Sequence, residues 1–184
     1  METFAPPREF VENPGFTQAR WTALSKLDLG DVDHPIADLI SGFAALPHCF
    51  TLQSCHGHFL CGPDDAPDNN TPIPRSHAGG FRYRIAYLAL CIEKSDRGRT
   101  LRNALSAVAR IDPEYVQFGS PGWFWDQCVN SYALQVEPAA QQFSDEARLD
   151  AEEARHVERV RDLFFQKLRA LVVSEARENG AGQQ

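Results

Sequence analysis

Between Tyr83 and Ile92 only Arg84 interrupts a run of apolar and aromatic residues. A run of this kind fits a central strand of a sheet. Leu101, Leu105 and Val108 then fall on one face of a helix over 99–110, which completes a strand-helix unit.

Upstream, residues 1–12 carry Pro6 and Pro7 without apolar periodicity and read as a flexible arm. Asn13-Pro14 opens a first helix, with a buried stripe of Trp21, Leu24 and Leu27. Asp33-His34-Pro35 repeats the start signal, and Ile36, Leu39, Ile40 and Phe43 recur at helical spacing until Pro47. Cys49–Gln53 and Phe59–Cys61 read as short strands around Ser54-Cys55-His56-Gly57-His58, which forms a hairpin or a sharp strand-turn-strand. Gly57 is the residue there best able to take a positive φ. A loop over 62–80 follows, long enough for a lid or binding segment.

Downstream, Glu114–Phe118, Trp123–Val129 and Ser131–Glu137 look like strands, the first two separated by Gly119-Ser120-Pro121-Gly122. From Ser144-Asp145-Glu146 a long helix runs to Asn179-Gly180, with Leu149, Val157, Val160, Phe164, Leu168 and Leu171 at three- and four-residue steps. The expected fold is α+β: a single domain over 13–180, a mixed or antiparallel sheet with flanking helices, a long C-terminal helix, and a tail over 181–184.

At 184 residues one core suffices, and the composition of 43% hydrophobic and 23% charged residues is that of a globular domain. No stretch approaches the roughly 18 apolar residues of a membrane helix, and the N-terminal segment lacks signal-peptide character, so a cytoplasmic protein without membrane contact is expected. In that compartment Cys49, Cys55, Cys61, Cys91 and Cys128 stay reduced. The net charge of −7 argues against broad electrostatic capture of nucleic acid but leaves room for a local anion site.

The Ser54–His58 segment is the best candidate for chemistry, and three readings of it stand side by side. Cys55, His56, His58 and Cys61 are candidate zinc ligands, although strand alternation brings all four together only at an irregular turn. Cys55 beside His56 or His58 is a candidate nucleophile. The backbone of Ser54 to Gly57 is a candidate cradle for phosphate or carboxylate. Elsewhere, Trp123-Phe124-Trp125 offers a stacking platform or buried core, and Arg82 and Arg84 share a strand face that suits an anion. No G-x-G-x-x-G or G-x-x-x-x-G-K-[ST] motif occurs, so nucleotide hydrolysis and dinucleotide redox chemistry lack support.

The segment Trp21-Thr22-Ala23-Leu24-Ser25-Lys26-Leu27-Asp28-Leu29, then Asp33 and Ile36, then Phe50-Thr51-Leu52-Gln53-Ser54-Cys55-His56-Gly57-His58, resembles the start of the third wybutosine-synthesis protein family. The late charged helix with Phe164-Phe165 resembles that family's last helix. The likeness implies an S-adenosylmethionine-dependent methyltransferase that acts on a modified guanosine of tRNA. It also implies a tRNA or nucleotide-like partner, and a site that uses Ser54, Cys55 and Gly57 together with Lys26 and Asp28. His58 stands where the family has arginine, and Gln53 where it has serine. Imidazole lacks the permanent charge and bidentate fork of guanidinium, so an anion contact there is weaker and a changed acceptor is expected. The alternative function is a non-catalytic nucleotide-, RNA- or metal-binding protein that uses the same turn. A third reading gives the apolar stripe of the last helix to a partner.

Overall fold

The computed structural model describes residues 3–62, 73, 79–142 and 144–181. Most of the expected loop over 62–80 and of the tail over 181–184 lies outside them. The elements are α1 (Phe16–Ser25), α2 (Ala37–Ala45), β1 (Cys49–Cys55), β2 (His58–Leu60), β3 (Phe81–Arg84), β4 (Ala86–Ile92), α3 (Asp96–Val108), β5 (Val116–Gly119), α4 (Gly122–Gln127), β6 (Ser131–Val136), β7 (Glu146–Leu149) and α5 (Ala151–Ala181). One sheet has the order β1-β4-β6-β5 and a second has β2-β3-β7, with antiparallel pairing in both. The architecture is a single compact α+β domain, as expected.

The segment Ser54–His58 is a corner rather than the apex of a hairpin. Cys55 pairs with Tyr87 and His58 with Arg84, three residues along each strand, so the same two strands pass from one sheet into the other in unbroken register. The expected single strand over 83–92 is split at Ile85 by this bend, and Ile85 donates its amide to the Asp145 carbonyl at 3.1 Å instead of to the ladder. Gly57 takes the corner at φ 87, where a β-carbon would lie 2.8 Å from that of Ala86 and 2.9 Å from the Tyr83 hydroxyl. The fully buried Tyr83 hydroxyl accepts the Ala86 amide at 2.9 Å, so the interrupted ladder leaves that donor satisfied.

One face of the four-stranded sheet carries Leu88, Leu90, Ile92, Tyr132, Leu134 and Val136, which pack under α2, α3 and α5 in the main core. The stripe of α5, including Val157, Phe164 and Leu168, is consumed by this core, so it is not the free face that the partner reading requires. The opposite face carries two small satellites, Phe50 and Cys91 under Phe16 of α1, and Ala89 and Ala133 under Phe124 of α4. No helix among the described residues is long and apolar enough to cross a membrane. Cys49, Cys55, Cys61, Cys91 and Cys128 form no disulfide among the described residues, and the Cys91 and Cys128 sulfurs lie 3.0 Å apart.

Several elements differ from expectation. Trp123–Val129 is the helix α4 plus a turn rather than a strand, because Pro121 caps a start at Gly122 and the aromatic residues wind around one turn. The long helix begins after β7, so Leu149 is a strand residue, and the Asp150 carboxylate caps α5 by accepting the amides of Glu152 and Glu153 at 2.9 Å. In α1 the buried contacts come from Phe16, Ala19 and Ala23 while Trp21 is 66% exposed, opposite to the expected stripe. The N-terminal arm runs against β5 and β6: Ser120 donates its amide to the Ala5 carbonyl, and Val11 exchanges hydrogen bonds with the Asn130 side chain.

Candidate functional site

Register places two rows of side chains on the α4 face of the four-stranded sheet. Cys55, Tyr87, Gln135 and Gln117 are successive cross-strand partners, and so are Gln53, Ala89, Ala133 and Gly119. Directly opposite residues of antiparallel strands share a face. The first row is therefore a polar line of thiol, phenol and amides, and the second is a depression floored by small residues. Trp123 and Phe124 of α4 overhang it, and Arg84, Ile85, Ser144 and Asp145 close the end where the two sheets meet. The result is a cavity of about 440 Å³. Phe124 lies against Tyr87 with ring centroids 6.3 Å apart, whereas Trp123 at 57% exposure stands at the rim.

Behind the floor, Glu137 is fully buried. Its carboxyl accepts from the Thr3 hydroxyl at 2.7 Å and from Gln135 Nε2 at 2.7 Å, while Gln117 Nε2 donates to its backbone carbonyl at 2.8 Å. Burial outweighs those hydrogen bonds and pushes the Glu137 carboxyl from 4.5 up to about 7. A raised carboxyl binds its proton more tightly when folded. Its contribution is therefore fully present below about pH 4.5 and is lost as pH rises through about 7. The Glu137 contribution is expected to fall by roughly 2 kcal/mol between about pH 5 and about pH 8, so Glu137→Gln should lose about that much less stability than the wild type over the same range. Urea midpoints at the two pH values check it; an equal slope in the variant contradicts it.

On the other side of the corner, Asp33, Cys55 and His58 converge, with one ligand atom from each lying within 4.8 Å of the other two. His58 Nε2 is 3.3 Å from Asp33 Oδ2, and the same oxygen accepts the His56 amide at 2.7 Å. Asp33 stands at a helix start but gives no side-chain cap to its own turn, which leaves the carboxylate for the corner. The hydrogen bond from His58 holds Asp33 down to about 2 against the opposing effect of burial. Hydrogen bonds to Asp33 and then to Cys55 raise the His58 imidazole to about 10.

Of the residues picked from sequence, Cys55 and His58 come together and Cys55 also lines the cavity. His56 instead stacks on Phe165 at 5.3 Å, and Cys61 packs against the main core beyond β2, so among the described residues neither joins the cluster. Strand alternation breaks up the four-ligand set Cys55, His56, His58 and Cys61. Ser54 pairs with Leu88 and so faces away from the cavity, and Gly57 is a buried backbone hinge. Lys26 and Asp28 are exposed in the turn after α1, where Asp28 accepts the Gly30 amide at 2.8 Å; they line neither the cavity nor the cluster. Arg84 reaches the cavity, while Arg82 lies 3.6 Å from Glu146. Residue type and spacing in the sequence do not single out Gln53, Tyr87, Gln135, Asp145 or Asp33 as site residues. The one local signal was the alternation of Gln53 and Cys55 on a strand.

No protein-family model and no curated protein matches the chain. Among solved structures it is similar to the PH1069 protein from Pyrococcus horikoshii, at 16% identity and a TM-score of 0.49 over 90% of this chain and 95% of that one. A second PH1069 structure, from Pyrococcus horikoshii OT3, gives 16% identity and a TM-score of 0.47 over 91% and 95%. A hypothetical protein from Aeropyrum pernix gives 12% and 0.39 over 79% and 95%. Likeness at this level carries no statement about activity.

Proposed function

We propose that the cavity beside the corner binds S-adenosylmethionine and that the protein transfers its methyl group to an acceptor presented at the rim. The observation that supports this reading is the lining: aromatic rings from Tyr87, Trp123 and Phe124, amides from Gln53 and Gln135, one guanidinium from Arg84 and one carboxylate from Asp145. The cofactor carries an adenine, a cationic sulfonium, an ammonium and a carboxylate, but no phosphate. Aromatic faces suit the adenine and the sulfonium, and the Asp145 and Arg84 pair suits the amino-acid end. A polyphosphate nucleotide would find a single cation offset by a carboxylate, a poor match. The volume is in the range of small-ligand sites.

Bound there, the cofactor would supply an electrophilic methyl carbon on a positively charged sulfur, with neutral S-adenosylhomocysteine as the leaving group and the acceptor's proton released to solvent. The chain's part is to hold donor and acceptor in line and to exclude water. Exposed Trp123 gives a planar acceptor, such as a nucleoside base, a surface to stack on. A tRNA nucleoside is the acceptor class that the sequence resemblance suggests. With a net charge of −7, its docking relies on local contacts rather than on overall attraction.

Isothermal titration with S-adenosylhomocysteine is expected to show one site in the wild type, weakened about tenfold in Trp123→Ala through loss of ring contact. No heat from the wild type at millimolar ligand would overturn the proposal.

A further inference from the structure

The geometry points to a second site at the same corner, in which Asp33, Cys55 and His58 bind a divalent transition ion of the zinc class through a carboxylate oxygen, a thiolate and an imidazole nitrogen. The inference does not depend on the methyl donor. It rests first on spacing: the three donor atoms lie within 4.8 Å of one another, and His58 Nε2 and Asp33 Oδ2 are 3.3 Å apart. Two donors at about 2.0 Å from a tetrahedral ion are separated by about 3.3 Å, so this edge already has the length a bound ion needs once the ion has displaced the proton that His58 and Asp33 share.

It rests next on how the three are held. Cys55 ends β1 and His58 begins β2, and the left-handed turn at Gly57 brings residues of opposite strand parity to one place. The Gly57 amide donates to Cys55 Sγ at 3.4 Å, which fixes the sulfur at the turn. The His56 amide fixes Asp33 Oδ2 at 2.7 Å, and Arg161 Nη1 holds the Gly57 carbonyl at 3.2 Å from α5. Ligands oriented by such outer contacts bind metal tightly. The His58 side chain is only 4% exposed, so its ring is confined beside Asp33.

The donor set selects the ion. Thiolate with imidazole favours zinc and its neighbours, whereas magnesium and calcium take oxygen ligands. Among the described residues no fourth His, Cys, Asp or Glu joins the three, the pattern of a site that keeps a position for water or ligand. Because Cys55 also lines the 440 Å³ cavity, that position is within reach of whatever binds there.

The test is a cobalt(II) titration of the full chain, first stripped with chelator under reducing conditions. One equivalent is expected to bind with a thiolate-to-cobalt charge-transfer band, and zinc is expected to bleach it. Cys55→Ser is expected to abolish the band, and Asp33→Asn and His58→Gln to weaken binding more than about a hundredfold, beyond the effect of losing an outer contact. Cys61→Ser keeps it unchanged. Circular dichroism of each variant separates lost ligation from lost fold, and the wild-type titration decides the question alone if a variant fails to fold. No charge-transfer band in the wild type overturns the inference. So does an undiminished band in Cys55→Ser, or its loss in the folded Cys61→Ser control. A flat calorimetric titration with S-adenosylhomocysteine leaves the cobalt result standing, because the two experiments read different ligands.

Discussion

Gly57→Ala is expected to destabilise the protein by about 3 kcal/mol, an effect set by backbone strain and by collision together. At φ 87 any β-carbon is strained. The added atom would also sit 2.8 Å from the Ala86 β-carbon, 2.9 Å from the Tyr83 hydroxyl and 3.0 Å from the Ala86 amide nitrogen. None of these is the loose end of a flexible side chain, since Tyr83 and Ala86 are fully buried. Relief therefore requires the two strands to part at the bend, which breaks the hydrogen bond from Ala86 to Tyr83. Gly122→Ala is the control, because nothing lies within 4 Å of a β-carbon there. Urea unfolding of the two variants should show a large fall for the first and almost none for the second. Equal midpoints would mean that the corner tolerates a side chain.

Arg161→Ala is expected to cost about 3 kcal/mol, from a lost charge-assisted hydrogen bond and lost stem packing. The side chain is mostly buried between α5 and the corner, where it donates to the Gly57 carbonyl at 3.2 Å and places its guanidinium 5.2 Å from the Phe59 ring centre. Asp162 orients it by accepting from Nε at 3.1 Å and from Nη2 at 3.0 Å. Lysine can reproduce the charge but not this fork, so Arg161→Lys should recover less than half of the loss. Thermal or urea unfolding reads both. Recovery of full stability by lysine would show that charge alone, and not planar geometry, ties the helix to the bend.

Much of the fold was legible because local patterns and the final packing agree. Leu39, Ile40 and Phe43 recur at helical spacing and are buried in α2, and Leu101, Leu105 and Val108 do the same in α3. The failures have physical causes. In α1 the buried face uses Ala19 and Ala23, small residues that give a weak hydrophobic signal beside the exposed Trp21. Leu149 satisfies the helical step by coincidence, because one residue eight before Val157, two steps of four, fits either period. The aromatic run at Trp123 favours strand by propensity, yet Pro121 and Gly122 decide for helix.

The site was legible only in part. Cys55 and His58 stand out by residue type, and their spacing of three suits a tight bend. Asp33 was read as a helix start, and its reach to His58 follows only when β1 and β2 have turned away from each other. The cavity floor is still less visible: Tyr87 meets Cys55 and Gln135 solely through the register of three strands far apart in sequence. A glutamine on a strand is ordinary until that register places it beside another.

The proposed place for the methyl donor is the cavity between the polar row and α4. A crystal structure of the protein grown with S-adenosylhomocysteine tests this directly. The prediction is ligand density inside the cavity, in contact with Trp123 and Tyr87 and against the wall formed by Cys55. Density for the same ligand at another surface, with the rings of Trp123 and Tyr87 uncovered, would contradict it.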